Sequence, residues 1–186
     1  MDPIMIDFPN EFTTDRLFIR MPLPGDGKAV LEALNASMNE LKPWMKWAQE
    51  EHSEYEAERG IREAHVKFLQ RDNLRLHVFL KECGTFIASA SLHGLDWDVR
   101  KFEVGYWIDS RYGGQGYMIE AVEGICSFAF EQLQARRLEI RCDTLNTRSM
   151  LIPQRLGFEL EGIMRNEDLS ADGSEWRDTC IFAKIR

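Results

Sequence analysis

The residues whose types and spacing could most directly do chemistry lie in Glu103-Val-Gly-Tyr-Trp-Ile-Asp-Ser-Arg-Tyr-Gly-Gly-Gln-Gly-Tyr117. Gly113, Gly114 and Gly116 let the backbone turn sharply and come close to a ligand. A helix that starts at Tyr117 would aim its first, unpartnered N–H groups and the positive end of its dipole into that turn. Each negative charge held there gains about 0.3–1 kcal/mol, and Arg111 adds a cation beside it. The chemistry is anion binding, as for a phosphate. Spacing excludes two nucleotide patterns: a dinucleotide fingerprint needs a third glycine where Ile119 stands, and the chain has no GxxxxGK run. What remains is Arg-x-x-Gly-x-Gly at Arg111, Gly114 and Gly116, or a plain flexible turn.

The elements that must position this loop can be read from periodicity. Thr14 to Met21 alternates Leu17, Ile19 and Met21 with polar neighbours, which predicts a strand. After the Pro24-Gly25-Asp26-Gly27 turn, Ala29, Val30, Ala33 and Leu34 recur at helical spacing. Ser53 with Glu56 forms a capping-box pattern ahead of Ile61, Ala64, His65, Phe68 and Leu69, a second helix. Strands are predicted at 76–81, 85–92 and 101–109, the first two joined as a hairpin, and the longest amphipathic helix at 117–133. A strand at 138–143, a short helix at 147–156 that Pro153 should kink or end, and strands at 158–164 and 179–185 complete the order.

Composition bounds the class. The chain has 186 residues, 44% hydrophobic and 29% charged, and is expected to form a single domain over 1–186. A net charge of −8 argues against broad nucleic-acid binding. The absence of a charged leader or a long apolar run leads us to expect a cytoplasmic protein with no membrane partner. Cys83, Cys126, Cys142 and Cys180 include no CxxC pair, and the four histidines no HxxxH pair, so no metal is expected.

With the Val-Gly-Tyr-Trp-Ile strand before it and the long helix behind it, the Arg111/Gly114/Gly116 pattern resembles the Q/R-x-x-G-x-G/A loop of the GNAT superfamily of acetyl-CoA-dependent N-acetyltransferases. Asn146-Thr-Arg-Ser149 with Ile152-Pro-Gln-Arg-Leu-Gly-Phe-Glu-Leu-Glu-Gly162, Leu41-Lys-Pro-Trp-Met-Lys-Trp47 and Thr14-Asp-Arg-Leu17 are similar to segments of its ribosomal-protein (serine/alanine) N-terminal acetyltransferase branch. The resemblance implies a mixed α/β (α+β) fold: a central, mostly antiparallel sheet with a splayed strand pair, flanked by helices. It also implies acetyl-CoA as co-substrate. Trp107, Ile108 and Asp109 would line the pantetheine arm, Arg111, Gly113, Gly114, Gln115, Gly116 and Tyr117 would hold the pyrophosphate, and Asn146 would also contact the cofactor.

For the chemistry, the resemblance implies that a backbone N–H near Tyr106 to Ile108 meets the oxyanion. Many relatives have a tyrosine acid where this chain has Pro153, and Ser149 is the expected substitute. Glu103 or Asp168, the latter beside Glu167, are the candidate bases. Cys142 is either a small buried thiol or a neighbour of the cofactor sulfur. Trp44, Trp47 and Tyr106 are expected on the acceptor side. Three functions stay open: acetylation of a protein N-terminus, acetylation of a small amine held in an aromatic cage, or non-catalytic acyl-CoA sensing. A homodimer is expected by resemblance alone.

Overall fold

A computed structural model describes residues 2–186. Its strands are β1 (Glu11–Thr13), β2 (Leu17–Arg20), β3 (Leu74–Leu80), β4 (Phe86–Asp96), β5 (Lys101–Ile108), β6 (Arg137–Asp143), β7 (Glu159–Leu169) and β8 (Trp176–Ile185). They make one eight-stranded sheet in the order β1-β2-β3-β4-β5-β6-β8-β7. Every neighbouring pair is antiparallel except β5 with β6. The helices are α1 (Gly27–Leu41), α2 (Glu54–Gln70), α3 (Tyr117–Glu131) and α4 (Thr147–Arg155).

Strand alternation sorts the side chains into two layers. Phe18, Phe79, Phe86 and Trp107 pack with Val30, Ala33 and Leu34 of α1 and Ile61 of α2. Leu17, Ile19, Val78, Ala88 and Val104 pack instead with Met118, Ala121, Val122 and Ile125 of α3. The capping box forms as the sequence predicts: the Ser53 hydroxyl accepts from the Glu56 amide while the Glu56 carboxylate accepts from the Ser53 amide.

The observation that matters for the site is where one ladder stops. β5 pairs with β6 at Lys101–Arg137, Phe102–Leu138 and Glu103–Glu139 and nowhere beyond. Past Glu103, β5 stays with β4 as far as Ile108, and β6 stays with β8 as far as Asp143. The two parallel strands therefore part into a wedge.

Several boundaries differ from the sequence reading. β1 escapes the pattern because three residues are too few to show a period. β4 runs on to Asp96 and β7 to Leu169, both through register irregularities that break the alternation. Pro153 neither ends nor interrupts α4; it is buried inside the helix, which continues to Arg155.

A buried polar cluster joins α1 to the sheet. Asp26, just before α1, takes both Arg20 guanidinium nitrogens at 2.7 and 2.8 Å and the His77 Nδ1 at 2.9 Å. Burial alone would raise the Asp26 pKa, but the hydrogen bonds from Arg20, His77 and the Leu23 amide hold it well below the usual carboxylate range. Burial lowers the pKa of His77, so its ring is neutral and donates Nδ1–H. Both native values lie below their unfolded ones. Each contribution is therefore complete above the unfolded pKa, about 6.5 for the imidazole and about 3.9 for the carboxyl, and is lost as pH falls through the native value. Asp26→Asn should cost about 2 kcal/mol at pH 7. The gap from the parent should shrink near pH 3, as read from urea midpoints at the two pH values.

Candidate functional site

β5 leads from the wedge into the glycine-rich loop. A short 3-10 turn, Ser110–Tyr112, follows it, and Gly114 and Gly116 take φ values of +74° and +80°. Those values are accessible to glycine at little cost. Gly116 is the N-cap of α3 and has no side chain to close the helix end. The first backbone bond of α3 runs from the Glu120 amide to the Gly116 carbonyl, so the amides of Tyr117, Met118 and Ile119 precede the helix's own ladder. A Cβ on Gly114 would meet nothing within 4 Å, so the loop is open.

Two braces hold the loop. From α1, the Ser37 hydroxyl accepts from the Ser110 amide at 2.8 Å, and the Ser110 hydroxyl donates to the Ala36 carbonyl at 3.0 Å. From the β1–β2 turn, the Thr14 hydroxyl, the Arg16 amide and the Arg16 Nε all donate to the Glu120 carboxylate at 2.6–2.7 Å. The Arg16 guanidinium also donates to the Gln115 carbonyl and lies 4.3 Å from the Tyr117 ring centre. Glu120 in the first turn would repel an anion; Arg16 neutralises it. In the sequence Arg16 reads equally well as a surface charge, and only the TDRL resemblance marks it.

Arg111 is placed differently from the free cation the sequence suggests. Its guanidinium grips the fully buried Asp109 carboxylate through Nε at 3.0 Å and Nη2 at 2.6 Å. Asp109 therefore locks the loop's entry with its side chain. The Gly113 amide donates to the Ser110 carbonyl at 3.1 Å, and the amides from Gly114 to Tyr117 have no partner among the described residues. Trp107 and Ile108, as successive strand residues, face opposite layers. Trp107 stands between Phe86 and Trp47, at 5.8 and 6.1 Å between ring centres.

The wedge opens into a cavity of about 400 Å³ whose walls include Trp44, Glu103, Tyr106, Cys142, Asn146, Ser149 and Asp168. Trp47 is outside this lining, so the three expected aromatics do not form one box. On the α4 side, the Asn146 side-chain oxygen caps the helix through the Ser149 amide at 3.1 Å. The Tyr106 hydroxyl donates to the Ser149 carbonyl at 3.0 Å, and Ser149 Oγ lies 3.4 Å from it. That carbonyl is free because its helical donor would be residue 153, and proline has no N–H. Burial raises the Tyr106 pKa, which keeps the hydroxyl protonated. Burial also pushes the Cys142 thiol up to about 12, with Cys180 nearby adding to the shift.

On the opposite side the carboxylates are sorted by partner. Lys46 pairs with Asp168, Arg141 with Glu167 at 3.0 Å, and Arg177 with Glu175 at 2.9 Å and Asp143 at 3.8 Å. The Lys46 ammonium holds the Asp168 carboxyl below its ordinary pKa. Among the described residues Glu103 has no lysine or arginine partner, and it faces the His93 Nε2 at 3.3 Å. The sequence reading passed over His93 as one of four scattered histidines; its signal was its register opposite Glu103 on a neighbouring strand.

Comparison with known proteins agrees with this geometry. The family model described as an acetyltransferase (GNAT) domain matches residues 16–159. The ribosomal-protein-serine acetyltransferase of Escherichia coli (strain K12) is 26% identical over 77% of this chain and 80% of that protein. The ribosomal protein uS5 alanine N-acetyltransferase of the same organism is 28% identical over 92% and 88%. A solved structure of RimL, a ribosomal L7/L12 alpha-N-protein acetyltransferase in complex with coenzyme A, shares the fold. It has a TM-score of 0.85 at 19% identity over 92% of this chain and 95% of that one. The family model spans most of the sequence and the sheet has the same architecture, so the chain belongs to the GNAT acetyltransferase family and is an acyltransferase.

Proposed function

We propose that this chain transfers acetyl from acetyl-CoA to the α-amino group at the N-terminus of a protein, by direct attack in a ternary complex in the cytoplasm. A ribosomal protein is the acceptor class, after the names of the two Escherichia coli relatives. The observation that carries the reading is the wedge between β5 and β6 opening toward the uncapped start of α3. An extended pantetheine arm takes the place of the missing strand partner along Trp107, Ile108 and Asp109, with Asn146 on the α4 side. The amides from Gly114 to Tyr117 hold the diphosphate, that of Gly113 being taken by the Ser110 carbonyl at 3.1 Å, and the helix dipole adds to their pull.

The amine nitrogen attacks the thioester carbonyl, a backbone N–H near Tyr106 to Ile108 meets the oxyanion, and the Ser149 hydroxyl donates a hydrogen bond to the departing sulfur. Tyr106 fixes Ser149 by holding its carbonyl. With its thiol held protonated, Cys142 is a poor nucleophile, which favours direct attack over an acyl-cysteine intermediate. An α-amino group of pKa about 7.8 is roughly one-seventh neutral at pH 7, against about one in 2,500 for a lysine. An N-terminal acceptor thus needs only modest help from a base. Of the two carboxylates expected there, Asp168 is held by Lys46 and Glu103 is not.

The test is to follow thiol release from acetyl-CoA with N-terminal peptides and with free amines. Release with peptides alone is expected. Release only with small amines would move the acceptor to that class, and tight binding without release across the panel would make the protein a sensor. Gly114→Glu meets no neighbour within 4 Å, costs about 1–2 kcal/mol of backbone strain at φ +74°, and puts a carboxylate in the cradle; in the folded variant, acetyl-CoA affinity measured by calorimetry should fall at least about tenfold. Ser149→Ala should lower kcat about tenfold and leave acetyl-CoA affinity unchanged, as one lost transition-state hydrogen bond of about 1.4 kcal/mol predicts.

A further inference from the structure

We propose that His93 is the proton acceptor for the incoming amine and that Glu103 acts through it as a positioning residue. The inference rests on the acetyl-transfer reading and names a group that the reading leaves open. His93 and Glu103 are direct cross-strand partners on β4 and β5, and both line the cavity. The imidazole stands between two polar groups: Nδ1 is hydrogen-bonded to the Ser91 hydroxyl at 3.2 Å, and Nε2 lies 3.3 Å from the Glu103 carboxylate, an ion-pair distance rather than a hydrogen bond.

Gly105 makes this pose possible. A Cβ there would stand 2.9 Å from His93 Cε1, closer than real contacts allow, so the ring lies across β5 where any other residue would exclude it. The position faces the wedge. Ser149 lines the same cavity from α4, so the group that takes a proton from nitrogen and the group that serves the sulfur approach from different elements.

The charges across the cavity from the ring are already engaged. Across the cavity, Lys46 is paired with Asp168, Arg141 with Glu167, and Arg177 with Glu175 and, at a longer distance, Asp143. A carboxylate matched to a cation is a weaker base. On β3, Arg75 stands in register with Ser91, faces the same layer and has no ion-pair partner among the described residues. Glu103 alone among the acidic side chains of the cavity has an imidazole for its partner.

The tautomer that suits this role carries its proton on Nε2, toward the Glu103 carboxylate. The Nδ1 lone pair is then the acceptor, occupied in the resting protein by the Ser91 hydroxyl. In the reaction a nitrogen–carbon bond forms to the thioester carbonyl and the carbon–sulfur bond breaks. The proton displaced from nitrogen goes to Nδ1, and the thiolate leaves on the Ser149 side and is protonated from water. Because Nδ1 has one lone pair, the Ser91 hydroxyl rotates away as the amine takes its place, and after transfer the Glu103 carboxylate faces a full imidazolium. At 36% exposed, the His93 side chain can return its proton to solvent.

The test uses the full chain with acetyl-CoA and an acceptor peptide. His93→Ala should lower kcat about 100-fold, bind acetyl-CoA like the parent, and recover in part when free imidazole is added. His93→Gln keeps polar contacts to Glu103 and Ser91, so it guards against a folding defect; it should be as slow as the alanine variant and should not respond to imidazole. Glu103→Gln should be slowed less than either. Full kcat in His93→Ala would overturn the proposal. So would an unrescued His93→Ala together with an equally slow Glu103→Gln, since the carboxylate would then be the base. A parent that releases no thiol with any acceptor would instead sink the acetyl-transfer reading, a result distinct from these.

Discussion

The parallel ladder between β5 and β6 ends at Glu103–Glu139, and the functional half of the molecule follows from that end point. A buried backbone group left without a partner costs about 1–3 kcal/mol. Past Glu103, β4 satisfies one edge of β5 and β8 satisfies the far edge of β6, while the two facing edges await water or an extended ligand. Antiparallel neighbours on both sides keep the sheet intact around the gap. The wedge can therefore stay open without unravelling the sheet, and a thin chain such as pantetheine can complete it.

An open wedge is useful only if the cradle beyond it keeps its shape. The loop is built from residues with little conformational preference, so its geometry is imposed from outside. Ser37 and Ala36 of α1 fix Ser110, the buried Asp109 fixes Arg111, and Thr14 and Arg16 tie down Glu120 at the start of α3. Three separate parts of the chain converge on one turn. The effect on charge is as important as the effect on shape: the carboxylates of Asp109 and Glu120, which would oppose a diphosphate, are each matched to an arginine.

Local chemistry was legible in the sequence and distant pairing was not. The glycine pattern, the α2 capping box and the amphipathic face of α3 are all short-range signals, and each stands where periodicity and residue type put it. The partners of Arg16, Lys46 and Arg141 lie 104, 122 and 26 residues away, and no local rule predicts such pairs. Pro153 shows the limit from the other direction. Its missing N–H was visible in the sequence, but the consequence was not a broken helix. The freed Ser149 carbonyl takes the Tyr106 hydroxyl instead, so the proline that displaces the usual tyrosine also recruits another tyrosine to the same helix turn.

The acceptor side has its own electrostatic logic. The cavity wall carries four carboxylates, Glu103, Asp143, Glu167 and Asp168, against three cations, Lys46, Arg141 and Arg177. Lys46 and Arg141 are matched to Asp168 and Glu167, and Arg177 is shared between Asp143 at 3.8 Å and Glu175 at 2.9 Å, which leaves Glu103 as the carboxylate of the wall with no lysine or arginine partner among the described residues. One negative charge in a partly desolvated pocket attracts a protonated amine. It also raises that amine's pKa and so opposes the proton loss that attack requires. A carboxylate alone would thus bind the ammonium form and hold it there. An imidazole between the carboxylate and the amine resolves the conflict, since the charge of Glu103 is then used to stabilise the imidazolium that forms as the amine becomes a nucleophile.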